Sequence, residues 1–144
     1  MVAYADTSFL LSLYTADAHH EKAESLVHRM GLPLVFTPLQ RHELQNAVRL
    51  SVFRKDMNAQ EGGAVLDCIQ ADLRTGFLQE TNLVWTELFN ISEVLSAEYT
   101  EALGTRGMDV LHVAAARTVG ATDFLTFDGR QKVLAEKAGF KVRP

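Results

Sequence analysis

The sequence predicts an α/β fold in which helices cover both faces of a mostly parallel sheet. Short apolar runs rich in strand-forming residues alternate with longer segments in which apolar residues recur at helical spacing. This alternation favours parallel strands, because each helix can form the right-handed crossover to the next strand. The 144 residues, 47% hydrophobic and 22% charged, can bury a core, so one domain over residues 1–144 is expected.

The composition limits the classes of protein to be considered. The single cysteine, Cys68, excludes an intrachain disulfide, and no cysteine–histidine cluster has the spacing of a zinc site. There is no run of about 18 apolar residues and no signal-like start, so a cytoplasmic protein without a membrane span is expected. The net charge of -4 disfavours a protein that binds nucleic acid with its whole surface.

Local basic rims around an acidic centre remain compatible with this charge. Basic residues cluster in one predicted helix and again in the last stretch of the chain, although each cluster is also compatible with a solvated face. The two clusters are Arg41, Arg49, Arg54 and Lys55, and then Arg130, Lys132, Lys137, Lys141 and Arg143.

The first predicted strand, residues 2–5, ends in Asp6, and a helix over residues 9–14 follows at once. An ionisable side chain at the tip of a buried strand lies where open parallel sheets bind their ligands. Asp6 or Thr7 can instead cap the following helix, so this stretch alone leaves both interpretations open.

The second unit consists of a helix over residues 17–30, a strand over residues 34–37 and a helix over residues 39–54. In the last helix, Glu43 shares a face with apolar residues. An ionised carboxylate buried there is costly unless it is paired or holds a metal ion. Alternatively, Glu43 lies at the edge of the stripe and pairs with an arginine. The residues of this face are Leu39, Glu43, Asn46, Ala47 and Leu50.

The third unit is predicted as a helix over residues 58–75, a short strand over residues 77–81 and a helix over residues 85–103 that ends at Gly104. The fourth unit opens with a nearly all-apolar helix over residues 110–119, which is typical of a helix buried in the core.

Asp109 stands in the first turn of this buried helix, where the helix dipole favours an anion by roughly 0.3–1 kcal/mol. His112, one turn further on, is expected to be a core or supporting histidine rather than a base. A strand over residues 123–127 then ends at Asp128, which an ordinary Asp-Gly turn would also explain. The remaining elements are a helix over residues 130–138 and a final run over residues 140–142.

Four acids therefore occupy equivalent positions in the alternation of strands and helices. Asp6 and Asp128 follow strands, Asp109 opens a helix that leads into a strand, and Glu43 lies early in a helix that follows another strand. Carboxylates packed at one sheet edge raise each other's pKa and need a counter-charge. All-oxygen ligands suit Mg²⁺ or Mn²⁺, which can activate water for hydrolysis of a phosphodiester or phosphomonoester.

The order and spacing of four stretches also carry a resemblance that covers essentially the whole chain. They are Asp6-Thr7-Ser8, Glu43 within a helix, Asp109-Val110-Leu111-His112-Val113-Ala114-Ala115-Ala116, and Leu125-Thr126-Phe127-Asp128. In these stretches the chain resembles the PIN-domain ribonucleases, and most of all the VapC-type toxins of toxin–antitoxin pairs.

The resemblance implies a PIN-like, Rossmann-like α/β/α sandwich and Mg²⁺- or Mn²⁺-dependent endonucleolytic cleavage of RNA. It also implies a homodimer that is inhibited by a small DNA-binding antitoxin. By position, Asp6 and Asp109 would be the principal metal ligands and Asp128 would complete the acidic pocket. Glu43 would be a further ligand or would orient the attacking water. Ser8 and Thr126 match supporting polar positions.

Other functions are compatible with the same residues. A housekeeping nuclease of this family, or a degenerate PIN-domain protein that binds RNA or protein, can share each of these stretches. A phosphatase of haloacid-dehalogenase type also begins with an aspartate at a strand tip. Such enzymes resemble Asp-x-Asp at this point, and here the third position is Ser8, which argues against that alternative.

Overall fold

The computed structural model describes all 144 residues. Its centre is one sheet of five strands, and every pair of neighbouring strands is parallel. The strands are β1 (Ala3–Ala5), β2 (Leu34–Phe36), β3 (Leu78–Glu80), β4 (Asp123–Leu125) and β5 (Lys141–Arg143). Their order across the sheet is β3-β2-β1-β4-β5, so β1 is central. The predicted α/β class with a parallel sheet is confirmed.

Helices pack on both faces of the sheet and bury two hydrophobic clusters. One cluster lies under α1, α2 and α4, and the other lies under α5, α7 and α8. The helices are α1 (Thr7–Tyr14), α2 (His20–Met30), α3 (Pro38–Phe53), α4 (Ala59–Thr75), α5 (Trp85–Leu95), α6 (Glu101–Leu103), α7 (Gly107–Thr118) and α8 (Gly129–Lys137). None of them is long and apolar enough to cross a membrane.

Local capping chemistry sets where the helices around the sheet edge begin. Asp6 is the N-cap of α1, because its side chain accepts a hydrogen bond from the backbone N–H of Phe9. Thr37 and Gln40 form a capping box at the start of α3, and Pro38 occupies the first turn, where its missing N–H costs nothing. The predicted start of α3 is therefore confirmed to within one residue.

The buried face of α3 differs from the predicted one. Leu39 is buried as predicted, but the other buried residues are Gln40, Leu44 and Val48, whereas Asn46 and Leu50 are exposed. The cause is Gln40, a polar residue in the buried stripe: its Nε2 donates to the carbonyl of Ala5 and its Oε1 accepts from the N–H of Thr37. A buried amide side chain whose hydrogen bonds are made by backbone groups is still polar, so the spacing of apolar residues does not identify its position as buried.

One further segment departs from the sequence prediction. The predicted single helix over residues 85–103 is interrupted, because α5 passes through a π-helical segment, Ser96–Thr100, before α6.

On α4, Ile69 and Gly62 are the buried positions. A Cβ at Gly62 would lie 2.6 Å from Cγ2 of Val52, so this glycine allows α3 and α4 to approach closely.

Replacing Phe124 by Ala is expected to lower the free energy of unfolding by about 3–5 kcal/mol, because the ring is fully buried and stacks on Tyr4. The matched variant Phe53→Ala removes a side chain that is 81% exposed, so it is expected to change that free energy by no more than about 0.5 kcal/mol. Urea unfolding of both variants measures the difference. Equal losses would contradict the described core.

Candidate active site

A cavity of about 1300 Å³ opens at the carboxyl ends of the central strands. All four acids singled out in the sequence line it, and each comes from a different part of the fold: the residue after β1, the second turn of α3, the first turn of α7 and the N-cap of α8. In open α/β sheets this edge is the usual place for ligands. The four acids are Asp6, Glu43, Asp109 and Asp128.

Asp6 is the most deeply buried of the four, and hydroxyl groups hold it. Ser8 donates to its Oδ1 at 2.7 Å, and Thr126 donates to its Oδ2. The N–H groups of Phe127 and Asp128 donate to these two hydroxyl oxygens, which leaves the hydroxyl hydrogens directed at the carboxylate. Ser8 and Thr126, the predicted supporting residues, thus both contact Asp6.

Burial raises the pKa of Asp6 above its ordinary value of 3.8, and the hydrogen bonds from Thr126 and Ser8 offset only part of this effect. The ionised form is disfavoured because the carboxylate has lost most of its water without forming an ion pair. A cation that approached Asp6 would therefore relieve an existing cost.

Glu43 belongs to a hydrogen-bonded chain that reaches into the core. Its Oε2 lies 3.0 Å from Nε2 of His112, and Nδ1 of the same imidazole lies 2.8 Å from the hydroxyl of Tyr4. Because an ionised carboxylate can only accept, Nε2 of His112 carries the proton of this hydrogen bond and donates to Glu43. Burial alone would raise the pKa of Glu43, but the hydrogen bond and charge of His112 outweigh it, so the pKa lies below its ordinary value.

Arg106 connects the remaining two acids. Its Nε lies 3.2 Å from Oδ2 of Asp109, and its Nη2 lies 3.3 Å from Oδ2 of Asp128. Asp109 also accepts the backbone N–H of Arg106 at 3.0 Å, which caps α7 and starts that helix earlier than the predicted residue 110. One guanidinium therefore spans two carboxylates from different elements.

The four acids share a cavity, but no group of three or more acidic, histidine or cysteine side chains is arranged to hold a metal ion. Each carboxylate is instead satisfied by groups of the protein: hydroxyls, an imidazole or a guanidinium. The donor set itself fits a hard divalent cation, because it consists of carboxylate oxygens, and a cationic group already lies between Asp109 and Asp128.

Residues 3–137 match the model of the PIN domain family. The chain belongs to this family. The match covers most of the chain and confirms the family predicted from the four sequence stretches. No curated protein matches the sequence significantly.

Solved structures show the same PIN fold at low sequence identity. VapC20 of Mycobacterium tuberculosis, a toxin that cleaves the sarcin-ricin loop, has a TM-score of 0.69 at 22% identity, with 99% of each chain covered. VapBC2 of Rickettsia felis has a TM-score of 0.67 at 16% identity, with 99% of this chain and 98% of that chain covered. FitAcB of Neisseria gonorrhoeae has a TM-score of 0.64 at 14% identity, with 99% of this chain and 97% of that chain covered.

Sequence reasoning missed two residues of this PIN-domain cavity and its surroundings. Arg106 could have been found from its place three residues before Asp109, where a side chain can reach back over the start of a helix. In the sequence, Tyr4 cannot be distinguished from an ordinary core residue of β1. Only the fold shows that its hydroxyl is within hydrogen-bond distance of His112. His112 itself is buried, as expected of a core or supporting histidine.

The predicted basic rims contribute little to the cavity. Of the first cluster only Arg54 lines it, since Arg41 pairs with Glu80 at 2.6 Å. No member of the second cluster lines it, and Arg143 pairs with Asp123 at the opposite end of β4. Arg54 and Arg106 are the arginines at this site.

Two single substitutions, each of which removes one carboxylate of the site, are expected to shift Tm in opposite directions. The shifts refer to neutral pH with a chelator present. Because the pKa of Asp6 is raised, its ionisation costs stability as the pH rises through that pKa, so Asp6→Asn is expected to raise Tm. Because the pKa of Glu43 is lowered, its stabilising contribution is present above its ordinary value of 4.5, so Glu43→Gln is expected to lower Tm.

Both differences are expected to shrink on acidification. The increase in Tm of Asp6→Asn is expected to disappear below pH 3.8, where the carboxyl group of Asp6 is protonated in both the folded and the unfolded state. The decrease in Tm of Glu43→Gln is expected to disappear as the pH falls through the lowered pKa of Glu43. Scanning calorimetry across this range measures both effects. Shifts of the same sign at neutral pH would contradict the assigned environments.

Proposed function

We propose that this PIN-domain chain is a metal-dependent endoribonuclease that uses Mg²⁺ or Mn²⁺ and acts as the toxin of a toxin–antitoxin pair. One observation carries the proposal: four carboxylates from four separate elements line a single cavity at the carboxyl edge of the sheet. Their sequence neighbourhoods resemble those of PIN-domain ribonucleases.

Asp6, Asp109 and Asp128 would hold the metal, with Glu43 as a further ligand or as the group that orients water. A divalent cation bound there would activate water and stabilise charge on the phosphoryl oxygens. The protein keeps these acids in place independently of the ion: Ser8 and Thr126 fix Asp6, and backbone N–H groups fix Asp109 and Asp128.

Glu43 is suited to orient a water molecule. Its lowered pKa keeps it anionic at neutral pH, and its side chain is 29% exposed on the cavity wall. His112 holds one carboxylate oxygen, and Tyr4 in turn holds His112. The chain from Tyr4 to Glu43 therefore gives a water-accessible carboxylate a fixed orientation, which a proton acceptor needs.

RNA is the proposed substrate, and a protein partner is proposed to cover the cavity. Arg54 and Arg106 provide positive charge beside the acids for contact with phosphate. Among the structural neighbours, VapC20 is a toxin that cleaves the sarcin-ricin loop, and the VapBC2 structure is bound to a DNA fragment from its promoter. By analogy we propose a small DNA-binding antitoxin, a homodimer and a cytoplasmic location for this chain.

The cavity has an apolar mouth that suits such a partner. Leu50 and Phe89 line it and are exposed, and Phe53, three residues after Leu50, is 81% exposed. Leu44, on the same helix, is buried in the core and is not part of this mouth. Exposed apolar patches next to polar sites are typical of protein interfaces.

Asp6→Asn is expected to lower the rate of RNA cleavage by at least about a hundredfold, since metal assistance contributes several kcal/mol of charge stabilisation and each ~1.4 kcal/mol is tenfold in rate. The measurement is cleavage of a structured RNA mixture with Mg²⁺, Mn²⁺ or a chelator. Asp67→Asn is the matched control, because Asp67 is exposed on α4 and does not line the cavity.

Cleavage that survives in Asp6→Asn or in chelator would contradict the proposal. Release of inorganic phosphate from a simple monoester without RNA cleavage would point instead to a phosphatase. The toxin role has its own readout: expression of the chain is expected to arrest bacterial growth, and expression of Asp6→Asn is not.

Phe53→Glu is expected to prevent co-purification of the chain with the proposed antitoxin, because a charge would enter an apolar contact. Val133→Glu is the control, since Val133 is exposed on α8 and does not line the cavity. RNA cleavage by both variants shows that the fold is intact. Equal binding by both variants would remove Phe53 from the interface.

A further inference from the structure

We propose that Arg106 is a displaceable internal counter-ion, which neutralises Asp109 and Asp128 in the metal-free protein and competes with the divalent cation for the same oxygens. This inference rests on the proposed metal dependence and deepens it. It assigns to Arg106 a control over metal affinity that the four acids alone would not have.

The geometry shows that the guanidinium spans both carboxylates. Besides the contacts of Nε with Asp109 and of Nη2 with Asp128, Nη2 lies 3.4 Å from Oδ1 of Asp109. Both oxygens of Asp109 and one oxygen of Asp128 therefore face the same planar cation. A metal ion that takes these oxygens must displace it.

The exposure of the three side chains favours displacement. The side chain of Arg106 is 62% exposed, whereas those of Asp109 and Asp128 are 9% and 32% exposed. An ion pair in which the base remains largely in water is weak, since water competes for the base and salt screens the attraction. The guanidinium can leave toward solvent without uncovering the core, while the acids stay where they are.

Both acids remain positioned when the guanidinium leaves, because backbone groups anchor them. Asp109 keeps the N–H of Arg106 at 3.0 Å, and Asp128 keeps the N–H of Arg130 at 2.8 Å. The substitution Arg106→Gln preserves the first of these contacts, since it belongs to the main chain. The variant thus removes the cation and leaves the carboxylate framework intact.

No other lysine or arginine pairs with the four acids. Glu43 pairs with His112, and Asp6 has hydroxyl and backbone donors, so Arg106 supplies the permanent positive charge of the cluster. Arg54 lines the same cavity and contacts none of the four acids through an ion pair. It is therefore the matched control for the loss of one positive charge near the site.

Calorimetric titration with Mn²⁺ in the absence of RNA tests the competition. Arg106→Gln is expected to bind Mn²⁺ roughly threefold to tenfold more tightly than the wild-type chain, a range that lies within the combined free energy of the two exposed ion pairs that Arg106 makes with Asp109 and Asp128. Arg54→Gln is expected to change the affinity by about twofold or less, because its charge is screened and unpaired.

Thermal unfolding gives a second readout that does not depend on activity. In EDTA, Arg106→Gln is expected to unfold at a lower temperature than Arg54→Gln, because two neighbouring carboxylates lose their counter-ion. Saturating Mn²⁺ is expected to close this difference, since a ligand that binds only the folded state stabilises it.

Equal Mn²⁺ affinities of the two variants, or weaker binding by Arg106→Gln, would overturn the inference and leave the proposed nuclease standing. The inference would also be overturned, with the proposed nuclease still standing, if Arg106→Gln binds RNA more weakly and its Mn²⁺ affinity is unchanged. If neither the wild-type chain nor Arg106→Gln binds Mn²⁺, the inference and the proposed metal dependence both fail.

Discussion

The parallel pairing of β1 with β4 is the constraint on which the site depends. The register pairs Ala5 with Leu125, so the next residues of the two strands, Asp6 and Thr126, emerge side by side. The N–H of Asp6 continues the ladder to the carbonyl of Leu125 at 3.0 Å, and its carboxylate accepts the hydroxyl of Thr126. A slip by one residue would turn either side chain to the other face of the sheet.

Three kinds of chemical group offset the charges of the four acids. Hydroxyls stabilise Asp6 only partly, an imidazole stabilises Glu43, and a guanidinium serves Asp109 and Asp128 together. These groups differ in whether a metal ion would displace them from the carboxylates. A hydroxyl can remain hydrogen-bonded to a carboxylate that binds a metal ion, whereas the guanidinium occupies the position that the cation would take. The proposed metal binding would therefore be coupled most directly to Arg106.

The sequence allowed the order of elements, the parallel sheet and the four acids to be predicted, because strand tips and helix starts recur in a regular alternation. It did not predict the buried face of α3, since the side chain of Gln40 is buried through a hydrogen bond to the backbone carbonyl of Ala5 in β1. It also did not predict the π-helical segment Ser96–Thr100. A wider turn inside a helix leaves no change in the apolar periodicity strong enough to read.

Contacts between distant residues are the part that local patterns cannot supply. Arg106 and Asp128, or Tyr4 and His112, are far apart in the chain and meet only when the sheet forms. Ser8 and Thr126 were expected as supporting positions only through the family resemblance, and the structure supplies their hydrogen bonds to Asp6, one from a near neighbour and one from a distant strand.

Tyr4 joins the hydrophobic core to the chemistry of the cavity. Its ring stacks on Phe124, with centroids 5.6 Å apart, while its hydroxyl lies 2.8 Å from Nδ1 of His112. Burial raises the pKa of Tyr4 well above its ordinary value, so the hydroxyl keeps its proton and remains available as a donor. The packing of β1 against β4 and α7 thereby fixes the imidazole, and the imidazole fixes Glu43. Core packing sets the orientation of this carboxylate, although Glu43 itself lies on the exposed wall of the cavity.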